Sequence, residues 1–184
     1  MKSVILYGSQ YGSARKYAEV LSEKLNVACF DYRKLKSVKK YDIVLYVGSL
    51  YAGGVLGLRE TFKGHSVKDW KKILIITVGI ADPNDIENSR KIEANTYKQL
   101  PVDFNKNIEL FHVRGRLDYS KLNLKHKVMM KLLYHYSKRI PLEEQNEETR
   151  TFIATYNQKL DFIDFNSLEG IIERYSQIIK SNNL

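Results

Sequence analysis

Five runs of strand length are apolar almost throughout, without the alternation of polar residues that marks a strand with one wet face. They lie at residues 3–7, 27–30, 42–47, 72–78 and 108–113. Strands buried on both faces show this pattern, and such strands belong to parallel sheets that are covered by helices. The runs therefore predict a five-stranded parallel sheet between two helical layers.

Between these runs, apolar residues recur at the spacing of amphipathic helices. After the first strand, one helical face comprises Ala14, Tyr17, Ala18, Leu21 and Leu25. Near the C-terminus, a second stripe comprises Leu168, Ile171, Ile172, Tyr175, Ile178 and Ile179. Asn166 and Glu169 resemble a capping box at the start of this last helix. Both stripes predict helices that pack one face against the sheet.

A third helix is expected between the fourth and fifth strands. Asp82 followed by Pro83 is typical of an N-cap and a first helical residue, and Asp85 suits the first turn. The helix should end before Pro101, because the residue preceding a proline disfavours helical dihedrals. Strands and helices thus alternate along the chain, which predicts the α/β class.

The predicted fold is a doubly wound parallel sheet with helices on both faces. A length of 184 residues suits a single domain over residues 1–184. About fifty residues separate the fifth strand from the final helix, where a plain sheet needs only a short connection. We therefore expect an insert over residues 115–160. It contains a predicted helix at 122–139 and an acidic run at 143–148.

The chain is basic, with 30 Lys and Arg, 21 Asp and Glu and a formal net charge of +9. This balance favours anionic partners such as phosphates, anionic lipids or nucleic acids, without choosing among them. No segment has the apolar length of a membrane-spanning helix, and the first strand begins too near Met1 for a signal peptide. Cys29 is the one cysteine. It is expected to be a small core side chain, and a cytoplasmic location follows from the absence of disulfides.

The junction between the first strand and the first helix is crowded with small residues. Residues 6–21 pass from strand to helix through Gly8, Ser9, Gly12 and Ser13. A helix N-terminus offers unpaired N–H groups and a positive dipole end, glycine permits close approach, and serine hydroxyls add donors. This combination predicts a phosphate site; the alternative is a tight turn without a ligand. The predicted phosphate loop comprises Ser9, Gln10, Tyr11, Gly12, Ser13 and Ala14.

Several other phosphate and catalytic motifs are excluded. Gly12 is followed by Ser13 rather than by the lysine of a Walker A loop, and Gly8 and Gly12 are too widely spaced for the dinucleotide fingerprint. No aspartate follows the third strand, as a phospho-acceptor receiver domain would require. The histidines, at 65, 112, 126 and 135, lack metal-ligand spacing, so no metal is predicted. What remains is a mononucleotide site at the switch point of a sheet with strand order 2-1-3-4-5.

With these residues the sequence resembles the flavodoxin family. The phosphate loop of that family follows the pattern T-x-T-G-x-T, which Ser9 and Gly12 match. Tyr11 and Ala14 stand where threonine is expected, and Ser13 supplies a neighbouring hydroxyl. The resemblance covers almost the whole chain and implies non-covalently bound FMN. The implied chemistry is electron or hydride transfer by the flavin, so no side chain is predicted to be catalytic.

The resemblance also implies two further loops at the flavin. The loop after the third strand would cover one face of the ring through Tyr51, with the alternative that Tyr51 is an exposed residue of a glycine-rich loop. Its candidate residues are Ser49, Leu50, Tyr51, Ala52 and Gly53. Backbone groups after the fourth strand would meet the polar edge of the ring. These candidates are Thr77, Val78, Gly79, Ile80 and Ala81.

The predicted insert resembles that of one particular branch of flavodoxin-like proteins. Residues 115–139 look like the menaquinone-dependent protoporphyrinogen dehydrogenase branch of flavodoxin-like proteins, which carries a long insert with a glycine, an aromatic residue and a basic helix. The matching positions are Gly115, Tyr119, Met129, Met130, Lys131 and Leu132. This branch implies an FMN-dependent oxidoreductase linked to a quinone or a porphyrinogen. The alternative is a small electron carrier that serves redox partner proteins and has no substrate site.

The predicted insert helix is basic and amphipathic, and no Asp or Glu occurs from Ser120 to Ile140. Its basic residues are Lys121, Lys125, Lys127, Lys131, Lys138 and Arg139, and its apolar ones are Leu122, Val128, Met129, Leu132, Leu133 and Tyr136. Two interpretations stay open: the apolar stripe packs on the protein, or residues 121–139 contact a membrane or an acidic partner. No nucleic-acid reader motif accompanies the charge, so nucleic acid is not expected as a partner.

Overall fold

The long apolar runs form one parallel sheet. The computed structural model describes residues 1–35, 37–51, 53–145 and 147–181. In chain order the strands are β1 (Ser3–Gly8), β2 (Cys29–Asp31), β3 (Ile43–Tyr51), β4 (Gly54–Val55), β5 (Lys72–Gly79), β6 (Ile108–Arg114), β7 (Arg116–Asp118) and β8 (Lys159–Asp161). The sheet has the order β2-β1-β3-β5-β6, and β4 pairs with β3 outside this path. If β4 is left out and the other strands are numbered consecutively, this order is the predicted 2-1-3-4-5. The predicted fold class is therefore confirmed.

Helices connect the strands. They are α1 (Ser13–Leu25), α2 (Leu58–Phe62), α3 (Ile86–Tyr97), α4 (Leu124–Ser137), α5 (Glu147–Thr155) and α6 (Glu169–Ser181). Short 3-10 turns lie at Val67–Asp69, Val102–Lys106, Tyr119–Lys121, Leu142–Glu144 and Phe165–Leu168. None of the described helices combines the length and the apolar character that crossing a bilayer requires.

The core on one face of the sheet joins the central strands to α1 and α6. Leu45 and Leu74 of the strands meet Tyr17 and Leu21 of α1 and Ile171 of α6, and all five side chains are buried. Alternate strand positions thus face helix positions three or four residues apart, as the two periodicities predict. Burial of each large apolar side chain contributes about 1.5–3 kcal/mol.

The core on the other face is aromatic. The ring of Phe62 in α2 packs edge-on against Trp70 and Phe104, with ring centroids 5.3 and 5.5 Å apart. The Trp70 indole Nε1 donates a hydrogen bond to the Val38 carbonyl at 3.1 Å, so its polar atom is satisfied although the side chain is buried. This face is thus covered by α2, by 3-10 turns and by the end of α3, where Tyr97 packs against the cluster, whereas α1 and α6 cover the other face.

One buried hydroxyl joins two distant stretches of chain. The Tyr17 hydroxyl donates to the Arg114 carbonyl at 2.7 Å and accepts a hydrogen bond from the Asp164 amide at 2.9 Å. Arg114 is the last residue of β6, and Asp164 precedes the turn that leads into α6. A single side chain of α1 therefore holds the end of the sheet and the start of the C-terminal segment together.

Residues 116–162 form a compact unit of their own, and residues 1–115 with 163–184 form the unit that contains the parallel sheet. In the smaller unit, β7 and β8 pair antiparallel. Tyr156 stacks on Tyr134 of α4, with centroids 4.0 Å apart, and meets Tyr119 edge-on. This unit lies at the predicted insert. The description of the whole chain as one domain stays a prediction.

The insert helix is shorter than predicted, and most of its predicted apolar stripe is exposed. Asn123 caps α4 by accepting a hydrogen bond from the His126 amide at 2.8 Å. His126 and Ser137 are buried, whereas the predicted apolar stripe is exposed except for Leu122. The exposed members are Val128, Met129, Leu132, Leu133 and Tyr136. The interpretation in which this stripe packs on the protein is therefore wrong.

Two predicted helix caps are also wrong. The carboxylate of Asp85, not that of Asp82, caps α3, because it accepts hydrogen bonds from the Glu87 and Asn88 amides at 2.8 and 3.2 Å. Asp82 instead closes a turn with the Asn84 amide. Near the C-terminus, Asp164 caps the 3-10 turn that leads into α6, because its carboxylate accepts a hydrogen bond from the Asn166 amide at 2.9 Å. Asn166, the first residue of the predicted capping box, lies inside this turn and is not its N-cap.

The single cysteine is half-buried rather than enclosed in the core. Cys29 begins β2 and packs at the border of the core beside α1. Burial raises the pKa of its thiol to about 11, so the group is protonated at neutral pH. Cys29 is therefore a weakly reactive thiol.

A charged cluster joins the edge of the sheet to the last helix. Arg174 of α6 donates two hydrogen bonds to the Glu109 carboxylate, at 2.7 and 2.6 Å, and Lys72 of β5 lies 2.7 Å from the same carboxylate. The hydrogen bonds from Arg174 and the neighbouring Lys72 hold the pKa of Glu109 at about 2, although partial burial opposes them. Ionised Glu109 therefore stabilises the folded state.

We predict that this cluster makes folding sensitive to acid. Because the folded-state pKa of Glu109 lies below its ordinary value, its contribution is complete above about pH 4.5 and is lost as the pH falls towards about 2. In Glu109→Gln, the melting temperature should lose this part of its pH dependence, as measured by circular dichroism. Glu173→Gln, which removes an exposed carboxylate from the same helix, is the control and should melt like the wild type. Identical pH profiles for Glu109→Gln and the wild type would contradict the prediction.

Candidate functional site

The predicted phosphate loop forms the start of α1. Gly12 has φ of 91°, in the left-handed region, and occupies the N-cap position. Its amide donates to the Ser9 hydroxyl at 3.1 Å, which closes the turn. Only glycine adopts this dihedral without strain, so Gly12 fixes the direction in which the helix leaves the strand. In this loop Gln10 is exposed, Tyr11 is half-buried, and Ser13 and Ala14 are buried.

This helix start has the electrostatic character of an anion site. No side chain caps the helix, and its first turn contains no acidic residue. Arg15 lies in the same turn and pairs with Glu19 one turn later, at 2.7 Å. The positive end of the helix dipole is therefore not neutralised by a carboxylate in the first turn, and its backbone donors suit a phosphate group.

The second predicted loop is largely a β-hairpin. Ser49, Leu50 and Tyr51 continue β3, and Leu50 and Tyr51 pair with Val55 and Gly54 of β4. Gly53 lies at the tip with φ of 79°, whereas Ala52 lies outside the described residues. The sequence missed this pairing because the preceding apolar run ends at Val47.

The hairpin has an anchor that sequence reasoning missed. The Gln99 side-chain oxygen accepts a hydrogen bond from the Val55 amide at 2.7 Å. The side-chain amide of Gln99 also lies against Gly54, where an added Cβ atom would collide with it. Gln99 follows α3 and is far from Val55 in sequence, so no local pattern reveals the contact. Its effect is to fix the position of Tyr51, which pairs with Gly54 in the hairpin.

Most of the third predicted loop belongs to β5. Thr77, Val78 and Gly79 are strand residues, and only Ile80 and Ala81 follow the strand. The Gly79 carbonyl accepts from the Gly115 amide at 2.6 Å, and the Ile80 carbonyl accepts from Arg114 Nε at 3.3 Å. These two acceptors are thus already engaged within the protein. The candidates Thr77, Val78 and Gly79 therefore do not follow the strand as predicted, because β5 pairs with β6 as far as Gly79.

A buried polar pair lies in the last part of these strands. The Thr77 hydroxyl is 2.7 Å from His112 Nδ1 on the adjacent strand β6, and Thr77 is almost completely buried. Burial lowers the pKa of His112, so its ring is neutral at physiological pH. The pair results from the register that places Thr77 beside His112, which sequence reasoning did not predict.

Parallel pairing brings the three predicted segments to one edge of the sheet. Gly8 of β1 lies beside Gly48 of β3, and Ser49 lies beside Val78 of β5. From the sequence, Gly115 is predicted only to mark the start of the insert. A Cβ atom on it would lie 3.0 Å from Val78 and 3.3 Å from Ser13, so glycine allows the end of β6 to approach the phosphate loop.

The described residues contain no cluster of His, Cys, Asp or Glu side chains that could hold a metal ion. A family model described as "Flavodoxin domain" matches residues 4–141. The chain belongs to the flavodoxin domain family. FMN is the cofactor associated with this family, so the cofactor prediction is confirmed. The uncapped start of α1 fits the phosphate of that cofactor, whereas the contacts of the individual site residues stay predictions.

Three solved structures are similar to this flavodoxin domain at low sequence identity. An archaeal flavodoxin is 14% identical, with 62% of this chain and 85% of that chain covered and a TM-score of 0.39. A protein from Bacteroides eggerthii is 16% identical, with 71% and 96% covered and a TM-score of 0.42. An FMN-bound flavodoxin mutant from Fusobacterium nucleatum is 13% identical, with 67% and 74% covered and a TM-score of 0.34. Similarity at this level adds nothing to the family match. We found no matching curated protein.

We predict that a carboxylate at Gly12 prevents FMN binding. Gly12→Glu would place a negative charge at the start of α1, where the FMN phosphate is expected, and fluorescence titration should show loss of FMN affinity. Gly64→Glu is the matched control, because Gly64 also has a positive φ, of 75°, and open space around the missing Cβ. Both variants place one negative charge at a position with a left-handed backbone. Equal FMN affinities would remove the phosphate-loop assignment.

We predict a smaller effect for Tyr51. If the phenol ring stacks on the flavin, Tyr51→Ala should weaken FMN binding by about 0.5–1.5 kcal/mol beyond the lost contact area. Titration of flavin fluorescence gives the affinity, and the flavin absorption spectrum reports the loss of stacking. Tyr136→Ala, at an exposed tyrosine of α4, is the control. An unchanged affinity and spectrum in Tyr51→Ala would show that this ring does not contact the cofactor.

Proposed function

We propose that this flavodoxin domain is an FMN-dependent oxidoreductase that transfers electrons. The observation that carries the proposal is the start of α1, where a left-handed glycine leaves the helix uncapped and free of first-turn acidic residues. When bound, FMN supplies the redox chemistry, accepting and returning electrons. The protein chain supplies binding, orientation and the electrostatic environment.

The residues of the three segments have distinct proposed roles. Ser9, Gly12 and Ser13, with the adjacent backbone amides, bind the phosphate group. Tyr51 covers one face of the ring, and the hairpin held by Gln99 keeps it in place. Ile80 and Ala81 meet the polar edge of the ring. Gln10, Tyr11 and Ala14 complete the proposed phosphate loop.

Arg114 gives this edge a positive charge. Its guanidinium donates to the Ile80 carbonyl, so a cation lies beside the segment proposed to meet the ring. A fixed positive charge favours the negative charge that accompanies reduction, whereas the phosphate and an aromatic face oppose it. The reduction potential of the cofactor therefore reflects a balance between Arg114 and these opposing groups.

The insert is the basis of our proposal for the electron acceptor and the substrate. We place the chain in the menaquinone-dependent protoporphyrinogen dehydrogenase branch and propose a quinone- or porphyrinogen-linked reaction. This placement rests on the sequence match at Gly115 and Tyr119. In the structure Gly115 lies close to Ser13, and Tyr119 is buried in the aromatic cluster. The second candidate is an electron carrier without a substrate site, which the flavodoxin fold favours by itself. A separate unit of residues 116–162 is more than such a carrier needs.

Two assays distinguish these functions. The purified protein is loaded with FMN, and flavin absorption confirms binding. It is then supplied with a protoporphyrinogen and a menaquinone analogue, and separately with a protein electron acceptor such as cytochrome c. We expect oxidation of the porphyrinogen that depends on both FMN and the quinone. Electron transfer to the protein acceptor without porphyrinogen oxidation would favour the carrier function.

The exposed stripe of α4 supports a peripheral contact with an anionic membrane through residues 121–139. A cytoplasmic location, at the inner face of that membrane, is part of this proposal. Lysines near such a surface are attracted to it, and exposed leucine and methionine side chains gain by leaving water. The contact would bring a lipid-soluble quinone near the protein. Nucleic acid is not part of the proposal.

A further inference from the structure

The unit formed by residues 116–162 contains a cavity of about 750 Å³. Tyr119 and Tyr156 line it, and their rings meet edge-on with centroids 5.3 Å apart. The remaining lining residues come from the end of β7 and the turn after it, from the turn before β8 and its first residue, and from one face of α4. They are Asp118, Ser120, Lys127, Val128, Lys131, Asn157, Gln158 and Lys159. The cavity is therefore built within this unit, from aromatic and charged side chains.

Positive charge dominates the cavity. Lys127 and Lys131 lie one helical turn apart on α4, and Lys159 begins β8. In the part of the chain that the structure describes, none of these three lysines forms an ion pair with a carboxylate. Asp118 is the one acidic lining residue, so the lining retains a net positive charge. A cavity of this kind suits an anionic group.

Asp118 does not neutralise the lysines in a closed ion pair. One of its carboxylate oxygens accepts hydrogen bonds from the Ser120 amide at 3.0 Å and from the Ser120 hydroxyl at 2.6 Å. These bonds cap the turn that follows β7. The hydrogen bond from Ser120 is the main reason that the pKa of Asp118 lies below its usual range, with Lys121 and Lys159 adding to the effect. Asp118 thus has a structural role, and the lysines stay available.

An exposed apolar row begins at the cavity. Leu124, Val128, Leu132 and Tyr136 follow one another at four-residue spacing along α4 and are 78%, 51%, 66% and 68% exposed. Val128 also lines the cavity, so the lysine cluster and the apolar row are continuous. A soluble anion would need the lysines alone. The row indicates a ligand whose charged group is attached to an apolar body.

We propose that this unit binds an anionic phospholipid bilayer, with the phosphate of one lipid head group in the cavity among Lys127, Lys131 and Lys159. The apolar row of α4 then enters the region of the acyl chains. This inference rests on the proposed membrane contact and specifies its site, but it does not require FMN. The absence of Asp and Glu from Ser120 to Ile140 supports it, because no carboxylate of α4 would face the anionic surface.

The decisive experiment compares two triple variants with the same change in charge. Lys127→Gln, Lys131→Gln and Lys159→Gln remove the cavity lysines together. Lys121→Gln, Lys125→Gln and Arg139→Gln remove three basic residues that do not line the cavity. Each protein is sedimented with vesicles of phosphatidylglycerol and phosphatidylcholine, and with phosphatidylcholine alone. We expect the cavity variant to lose at least about tenfold in affinity for the anionic vesicles, and the control variant to lose much less.

A third variant tests the apolar row. Leu132→Ser should weaken vesicle binding without changing the binding of inorganic phosphate, which is measured by calorimetry. Leu132 is largely exposed, so this substitution leaves the fold intact. Circular dichroism checks the folding of every variant, and flavin absorption checks its FMN content. Vesicle binding with normal FMN content separates this proposal from the FMN-dependent function, since either can fail alone.

Three results would overturn the proposal. If the wild type stays in the supernatant with anionic vesicles at low salt, the unit does not bind a membrane. If both triple variants lose the same affinity, binding reflects diffuse charge and no head group occupies the cavity. If the wild type and Leu132→Ser both bind inorganic phosphate and neither binds vesicles, the cavity is a site for a soluble anion.

Discussion

Parallel pairing of the central strands is the constraint on which the rest of this protein depends. Strands that run in one direction must be joined by crossovers, so every segment that follows a strand begins at the same edge of the sheet. The contacts of Gly8 with Gly48 and of Ser49 with Val78 align these ends closely. Residues far apart in sequence are thereby brought to one place by the pairing of buried strands.

The features that could be predicted from the sequence are those that local pattern determines. Continuous apolar runs revealed the strands, because burial on both faces leaves no position for a polar residue. The glycine and serine residues before α1 revealed the phosphate loop, because a left-handed N-cap requires glycine. The match at Ser9 and Gly12 was sufficient to indicate the family. In each case the physical cause acts over a few residues.

The features that could not be predicted depend on contacts between distant residues. Gln99 binds the Val55 amide across 44 residues, and Thr77 meets His112 across 35. Capping was also misjudged, since Asp82 and Asp85 are both suitable residues and only the path of the chain selects Asp85. For the same reason, the sequence does not decide whether the apolar face of α4 is buried or exposed. Its hydropathy predicts burial of Leu132, but the pairing of β7 with β8 and the aromatic cluster around Tyr156 form the core of that unit instead.

The hydrogen bonds of Tyr17 have a consequence for the segment that lies between their two partners in the sequence. Its hydroxyl contacts both Arg114 and Asp164, the two positions between which residues 116–162 depart and return. The entry and exit of this segment are therefore held only a few ångströms apart by the sheet-containing unit itself. A segment with such closely held ends can be lengthened, shortened or exchanged at little entropic cost, because a longer loop adds only slowly to the entropy of closure. Tyr17 thus makes this point of the fold suitable for connecting segments of different length while the parallel sheet stays unchanged.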